Sequence, residues 1–233
     1  MRAVVLVPTY NERANIVEFV ERVRQYAPGL HILIIDDNSP DGTGELAEEL
    51  ASKHPDEIFV LHRERKEGLG KAYVDGFSRI LKDGYDYVLQ MDADLSHDPA
   101  HLPCFFEKIK DNDLVVGSRY LNGISVVNWD LKRLIMSKLA TNYVRFITRM
   151  PFTDTTSGYK CWRREALEKI DFEKAFSSGY VFLVEMKYKA FREGLRLAEV
   201  PIIFIERKSG QSKLDWVVIW EAIWGVLRLR LRY

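Results

Sequence analysis

Short apolar runs alternate along this chain with stretches whose apolar positions recur every three or four residues. The runs are AVVLVP (3–8), HILIID (31–36), EIFVLH (57–62), YDYVLQMD (85–92) and DLVVGSR (113–119). Between them Glu12 to Tyr26, Gly44 to Lys53 and Lys71 to Lys82 keep a helical period. This alternation predicts an α/β fold. The runs are continuously apolar rather than alternating, which predicts a parallel sheet with helices on both faces, joined by right-handed crossovers. Ligands of such sheets bind beyond the carboxyl ends of the strands.

Composition narrows the class without naming a partner. The 233 residues are 47% hydrophobic, enough to bury one sizeable core. Lys plus Arg and Asp plus Glu each total 34, so the overall charge gives no sign of a nucleic-acid binder. Cys104 and Cys161 are the only cysteines and show no CxxC or Cys/His spacing; two buried thiols are expected. The chain starts MRAVVLVPTYNE, straight into a strand, and is expected to be cytoplasmic.

The polar clusters PTYNE, DDNSPDGT and DADLSHD follow the first, second and fourth runs, so all three converge on one sheet edge. Turn and cap chemistry accounts for DDNSPDGT as well as function does. Asp92 and Asp94 are different. Met91 and Ala93 flank the first carboxylate at the end of a buried strand, and two carboxylates there need a cation or a proton between them. Oxygen-only ligands favour Mg²⁺ or Mn²⁺, and Mg²⁺ usually shares its carboxylates with substrate phosphates, so a diphosphate-bearing substrate is expected. No GxxxxGK[ST] occurs, and GLGKAY (68–73) has Tyr73 where a dinucleotide fingerprint needs its third Gly, so a P-loop enzyme and a hydride-transfer enzyme are both poor readings.

Taken in order, VPTYNE, DDNSPDGT, GLGKAY, MDADLSHDP, VGSRY and ERKSGQSK resemble the inverting glycosyltransferases of family 2, in particular the dolichol- or polyprenol-phosphate mannose synthases, over residues 3 to 214. The resemblance implies a GT-A fold with a mostly parallel sheet, a nucleotide-sugar donor, usually GDP-mannose, and a polyprenyl phosphate acceptor. It implies that Pro8, Tyr10, Glu12 and Asp37 hold the base and ribose, while Asp92 and Asp94 place Mg²⁺ or Mn²⁺ on the donor diphosphate. Ser96 stands where several synthases have Gln as a further metal ligand; either Ser96 or a water fills that place. Arg119, Arg133 and Ser137 match acceptor-phosphate positions. In FIERKSGQSKLD (204–215), Arg207 and Lys213 belong to a basic segment that closes over the donor diphosphate. In FTDTTSGYKCWRREAL (152–167), Asp154 and Gly158 mark the segment below the donor sugar. For Asp154, and for Glu185 in the helix that follows, a structural role fits as well as a catalytic one.

Two further stretches bear on the lipid. Residues 131–150 carry Lys132, Arg133, Lys138, Arg145 and Arg149 and no acid. Leu131, Leu134, Ile135, Leu139, Tyr143, Phe146, Ile147 and Met150 recur there at helical spacing, as in a basic amphipathic helix on an anionic membrane surface or in a helix packed on a core. The apolar run from Trp216 to Leu227, with Glu221 inside, is shorter than the roughly 20 residues of a spanning helix. Trp216, Trp220 and Trp224 fall on one stripe, followed by Arg228, Arg230 and Arg232, which suits an interfacial anchor or a docking surface. The expected organisation is a catalytic domain over 1–214 and an amphipathic helix over 215–233. Peripheral attachment to the cytoplasmic face of a membrane is expected, with a small membrane partner subunit as one means of anchoring. Alternatives are a glucosyl or other sugar transferase on the same acceptor class and a non-catalytic subunit of a membrane glycosylation complex.

Overall fold

A computed structural model describes residues 2–177, 179–206 and 216–233, with side chains from residue 223 onward in the last stretch. Arg207 and Lys213 lie outside the described residues, as do the side chains of Trp216 and Trp220. The chain runs β1 (Ala3–Thr9), α1 (Ile16–Tyr26), β2 (His31–Asp36), α2 (Thr43–Lys53), β3 (Ile58–His62), α3 (Leu69–Ile80), β4 (Tyr87–Gln90), α4 (Leu102–Ile109) and β5 (Leu114–Ser118). It continues through β6 (Val126–Val127), α5 (Leu131–Thr148), β7 (Lys160–Arg163), α6 (Arg164–Lys169), α7 (Gly179–Arg192), β8 (Leu197–Pro201), β9 (Phe204–Ile205) and α8 (Trp216–Arg232).

Seven strands form one sheet in the order β3-β2-β1-β4-β7-β5-β8, and β6 pairs with β9 in a small second sheet. The strands are continuously apolar because both faces are covered. Val4, Leu6, Leu33, Ile35 and Val88 enter a core with α3, α7 and α8. Their neighbours Val5, Val7, Ile32, Ile34 and Leu89 enter a second core with α1, α2 and α4. This is the period-two division of a strand between two buried faces.

The sheet is mostly parallel, as expected, with one strand reversed. β7 runs antiparallel to both β4 and β5, with Lys160 opposite Gln90 and Val116. A chain entering β7 therefore arrives at the edge that β4 and β5 leave. In GLGKAY, Gly70 serves packing, since a Cβ there would stand 3.0 Å from Phe182 of α7. Further along α3, a Cβ on Gly76 would be 2.6 Å from Ile35 of β2. Of the two cysteines only Cys161 is buried; Cys104 is exposed on α4, whose inward face is taken by Leu102, Phe105 and Ile109.

The last helix is also a core element. Val226 and Leu229 are buried in the cluster that holds α3 and α7. The Tyr143 hydroxyl donates to the Ile223 carbonyl at 2.9 Å, and the Tyr233 hydroxyl donates to Glu185 at 2.9 Å. Leu229→Ala is expected to cost about 3 kcal/mol, the usual penalty for emptying a fully buried leucine site. Urea denaturation checks it, and an unchanged midpoint would make α8 a detachable appendage.

Candidate active site

The first two strand ends are tied into one platform. The Thr9 hydroxyl donates to Asp36 at 3.0 Å, and Asp36 also accepts from the Ser39 hydroxyl at 2.6 Å and its N–H at 3.0 Å. The Asn11 N–H donates to Ser39 and the Glu12 N–H to Thr43. Much of DDNSPDGT is thus turn chemistry, with Asp41 accepting twice from Thr43. Pro8, Tyr10 and Glu12 stand half-buried along this edge, the Tyr10 ring under Lys66 at 3.7 Å and Glu12 accepting from Asn15 at 2.8 Å. Asp37 is buried against Arg63, a residue that no motif in the sequence singles out and that also pairs with Asp75 at 2.9 Å. Burial pushes the Asp37 carboxyl up, against the pull of Arg63.

Asp92 and Asp94 lie just past β4, both half-buried rather than enclosed. Between Asp94 and Ser96 the backbone turns through Leu95 at φ +63°, a left-handed conformation that a leucine adopts only when its surroundings hold it. The turn lets Asp94 accept the Ser96 N–H at 3.1 Å. The Ser96 hydroxyl is buried and has no hydrogen-bond partner. His97 is buried behind the pair: its Nδ1 accepts the Asp92 N–H at 3.0 Å, which leaves the ring proton on Nε2, 3.7 Å from the Asp92 carboxylate. Gly158 crosses this point, where a Cβ would stand 3.3 Å from the His97 ring and 3.8 Å from the Asp92 carboxylate.

A line of ring contacts leads from these acids to α5. His97 meets Phe204 edge-on at 5.8 Å, Phe204 meets Trp129 at 5.4 Å, and the Arg133 guanidinium lies over Trp129 at 4.4 Å. Arg133 is also paired with Glu206. Ser137, one turn further along α5, accepts from the Tyr120 hydroxyl at 2.7 Å.

Arg119, expected at the acceptor phosphate, is buried against Asp154. Its Nε and one terminal nitrogen reach the two Asp154 oxygens at 2.6 and 2.8 Å, and the same nitrogen donates to Thr156 at 2.7 Å. Glu199 of β8 accepts the Asp154 N–H at 3.0 Å. Burial works to raise the Asp154 carboxyl, but the Arg119 guanidinium overrides it and holds the group at about 2. Glu185 is likewise committed, accepting the Phe176 and Ser177 N–H groups and the Tyr233 hydroxyl.

Two lysines beneath the site, Lys187 and Lys160, are not singled out by any pattern in the sequence. Lys187 is fully buried, donates to the Ser157 carbonyl at 2.9 Å, and is pushed down to about 7 by burial. Lys160 is fully buried with its amine unmatched, and burial drives it well below the usual lysine range.

The sequence pattern of Glycosyl transferase family 2 matches residues 4–171. Over 232 residues the chain is 45% identical to a polyprenol monophosphomannose synthase of Mycolicibacterium smegmatis, covering 99% of this chain and 88% of that protein. Over 228 residues it is 41% identical to an undecaprenyl-phosphate mannosyltransferase of Micrococcus luteus, covering 98% and 93%. Among solved structures, glucosyl-3-phosphoglycerate synthase of Mycobacterium tuberculosis, crystallised with Mn²⁺, uridine diphosphate and glucosyl-3-phosphoglycerate, superposes with a TM-score of 0.70 over 99% of this chain and 79% of that one, at 20% identity. The mostly parallel sheet, the acidic edge and a family match spanning most of the chain agree: this protein belongs to glycosyl transferase family 2 and has the GT-A fold.

Proposed function

We propose that the protein transfers mannose from GDP-mannose to the phosphate of a polyprenyl phosphate, with inversion, giving polyprenyl-phosphate mannose. The observation that supports this reading is the line of contacts from Asp92 through His97, Phe204 and Trp129 to Arg133, which links the acidic edge to the basic helix. The names of the relatives at 45% and 41% identity support the mannosyl and lipid-phosphate parts.

Pro8, Tyr10, Glu12 and Asp37 then hold the nucleoside. Asp92 and Asp94 suit a divalent cation, since the pair is half-open and the buried Ser96 hydroxyl beside it lacks a partner. Asp92 and Asp94 would hold Mg²⁺ or Mn²⁺, cations for which one or two protein carboxylates are usual. Mg²⁺ or Mn²⁺ bound there supplies Lewis-acid charge for the departing nucleoside diphosphate. Arg207 and Lys213 add positive charge from the segment that follows Glu206.

An oxygen of the acceptor phosphate attacks the anomeric carbon as the bond to the diphosphate breaks, and GDP leaves. The acceptor is already anionic at neutral pH, so no side chain has to take a proton from it. The structure agrees with that economy: Asp154 and Glu185, the acids behind the site, are occupied by Arg119 and by backbone N–H groups. Arg133 and Ser137 receive the acceptor phosphate, and Arg119 supports the floor beneath it. Residues 1–214 make the catalytic body, which α8 covers. Among the described residues no helix is long and apolar enough to cross a membrane.

Arg133→Ala is expected to raise the acceptor KM about tenfold or more, with the donor KM nearly unchanged, because a charge-assisted contact to phosphate is among the stronger hydrogen bonds. Arg133→Lys should recover only part of that loss. Equal effects on both substrates would assign Arg133 to the fold. The activity itself is tested with a panel of GDP-mannose, UDP-glucose and UDP-N-acetylglucosamine, each with a short polyprenyl phosphate. Transfer from a uridine donor alone would replace the mannosyl assignment, and no transfer from any donor would favour a non-catalytic subunit.

A further inference from the structure

Away from the acidic edge, α5 and α8 diverge around a cleft of about 760 Å³. Arg145 and Arg149 stand on one wall, Arg228 and Arg230 on the other. Among the described residues none of the four has a carboxylate within ion-pair distance. Arg230 donates to the Tyr188 hydroxyl at 3.2 Å, and Arg228 lies over the Phe176 ring. Arg145 and Arg149 thus set two cations at the opening, and Arg228 and Arg230, turned toward Phe176 and Tyr188, add positive charge along its other wall, so an anion entering there is favoured.

The rim is apolar and faces water. Phe146 is 82% exposed, Trp224 66% and Leu231 88%, although Val144 and Val226 on the same two helices are buried. The apolar set of α5 is divided in the same way. Tyr143, Ile147 and Met150 pack on the core, while Leu131, Ile135, Leu139 and Phe146 look outward along the helix. Cations around a cleft with large apolar side chains beside it match an amphiphile that is anionic at its head. A soluble phosphate would leave the apolar rim unused, and an acidic protein surface would leave it exposed to water.

We propose that this cleft seats the phosphodiester headgroup of an anionic bilayer lipid, with Phe146, Trp224 and Leu231 entering the acyl boundary. The inference rests on the reading that the acceptor is a membrane lipid, but the site is distinct from the acceptor's. Arg145 lies twelve residues beyond Arg133 on one helix, roughly 18 Å at 1.5 Å per residue. The headgroup thus fixes one end of α5 on the bilayer while the other end receives the acceptor phosphate.

The test uses the full chain and vesicles of phosphatidylcholine alone or mixed with phosphatidylglycerol. Wild type is expected to sediment with the mixed vesicles only, and less so as salt rises. Each basic side chain at an anionic surface contributes about 1 kcal/mol, so Arg145→Gln with Arg228→Gln should weaken partition about 30-fold. Phe146→Ser with Leu231→Ser should also release the protein. Thermal melts and turnover of a short, detergent-dispersed polyprenyl phosphate should stay near wild type in both variants. If vesicle binding fails but dispersed acceptor is turned over, this inference is wrong and the proposed reaction stands. Equal binding to both vesicle types, or an unchanged Arg145→Gln/Arg228→Gln variant, overturns it. So does stabilisation by inorganic phosphate alone equal to that given by the vesicles. A wild-type dimer that the Phe146→Ser/Leu231→Ser variant dissociates, with vesicle binding intact, would make this face a self-interface instead.

Discussion

Asp92→Asn and Asp94→Asn are each expected to lower kcat by on the order of 10³ or more, the scale seen when a group that stabilises developing charge is removed. The substitution keeps the shape of the side chain and removes a full negative charge. Local structure should survive it. The amide oxygen introduced by Asp94→Asn can still accept the Ser96 N–H, and the Asp92 backbone N–H that holds His97 is untouched. Melting temperatures near wild type together with lost turnover are therefore the expected pair of results, and chelation by EDTA should reproduce the loss in the unmodified enzyme. Wild-type rates in the double Asn variant, or full activity in EDTA, would remove the cation from the account.

Breaking the Arg119–Asp154 pair is expected to act on stability first. Both groups are buried, so Arg119→Ala or Asp154→Asn strands a charge away from water, at a cost of about 3–5 kcal/mol. For a chain of this size that lowers the melting temperature by on the order of 10 °C. The same pair predicts a pH dependence. A carboxyl depressed to about 2 in the folded state contributes stability that is complete above the ordinary aspartate range and is lost as pH falls through that range toward 2. The contribution is about 2 kcal/mol, and it should vanish from the acid limb of the urea midpoint in an Asp154→Leu/Arg119→Met variant. If Asp154→Asn melts like wild type and yet loses more than about a hundredfold in kcat, Asp154 is a proton acceptor and the base-free mechanism fails.

The elements that the sequence announces are those whose pattern is long and local. β1, β2 and β5 are unbroken apolar runs, and α1 to α3 keep their period within a few residues of the expected bounds. Lys160–Arg163 has a cation at each end and only four residues, so its strand identity comes from the partners Gln90 and Val116 and not from its own pattern. The site is legible where chemistry is adjacent in sequence, as in Asp92, Asp94 and Ser96. It is silent where a partner is remote: VGSRY gives no sign that the Arg119 guanidinium is met by a carboxylate 35 residues away. In α5, Leu131 and Leu134 differ by less than a turn, and only tertiary neighbours decide which part of that apolar set faces the core. Arg207 and Lys213 lie outside the described residues, so their roles rest on the sequence alone.

The reversed direction of β7 gives the chain between β5 and β7 an unusual topology. It leaves the sheet at Ser118 and rejoins it at Lys160, and the Gly117 N–H donates to the Tyr159 carbonyl at 2.9 Å, so the two ends meet. This excursion carries α5, Arg133, Ser137 and its own Arg119–Asp154 counter-ion pair. Lengthening a loop whose ends are already pinned costs little, because closure entropy grows slowly with length. On the proposed reaction, exchange of residues 119–158 is therefore expected to change acceptor preference and to leave the proposed nucleotide platform on β1 and β2 in place. A chimaera carrying another enzyme's excursion should keep this donor and take that enzyme's acceptor.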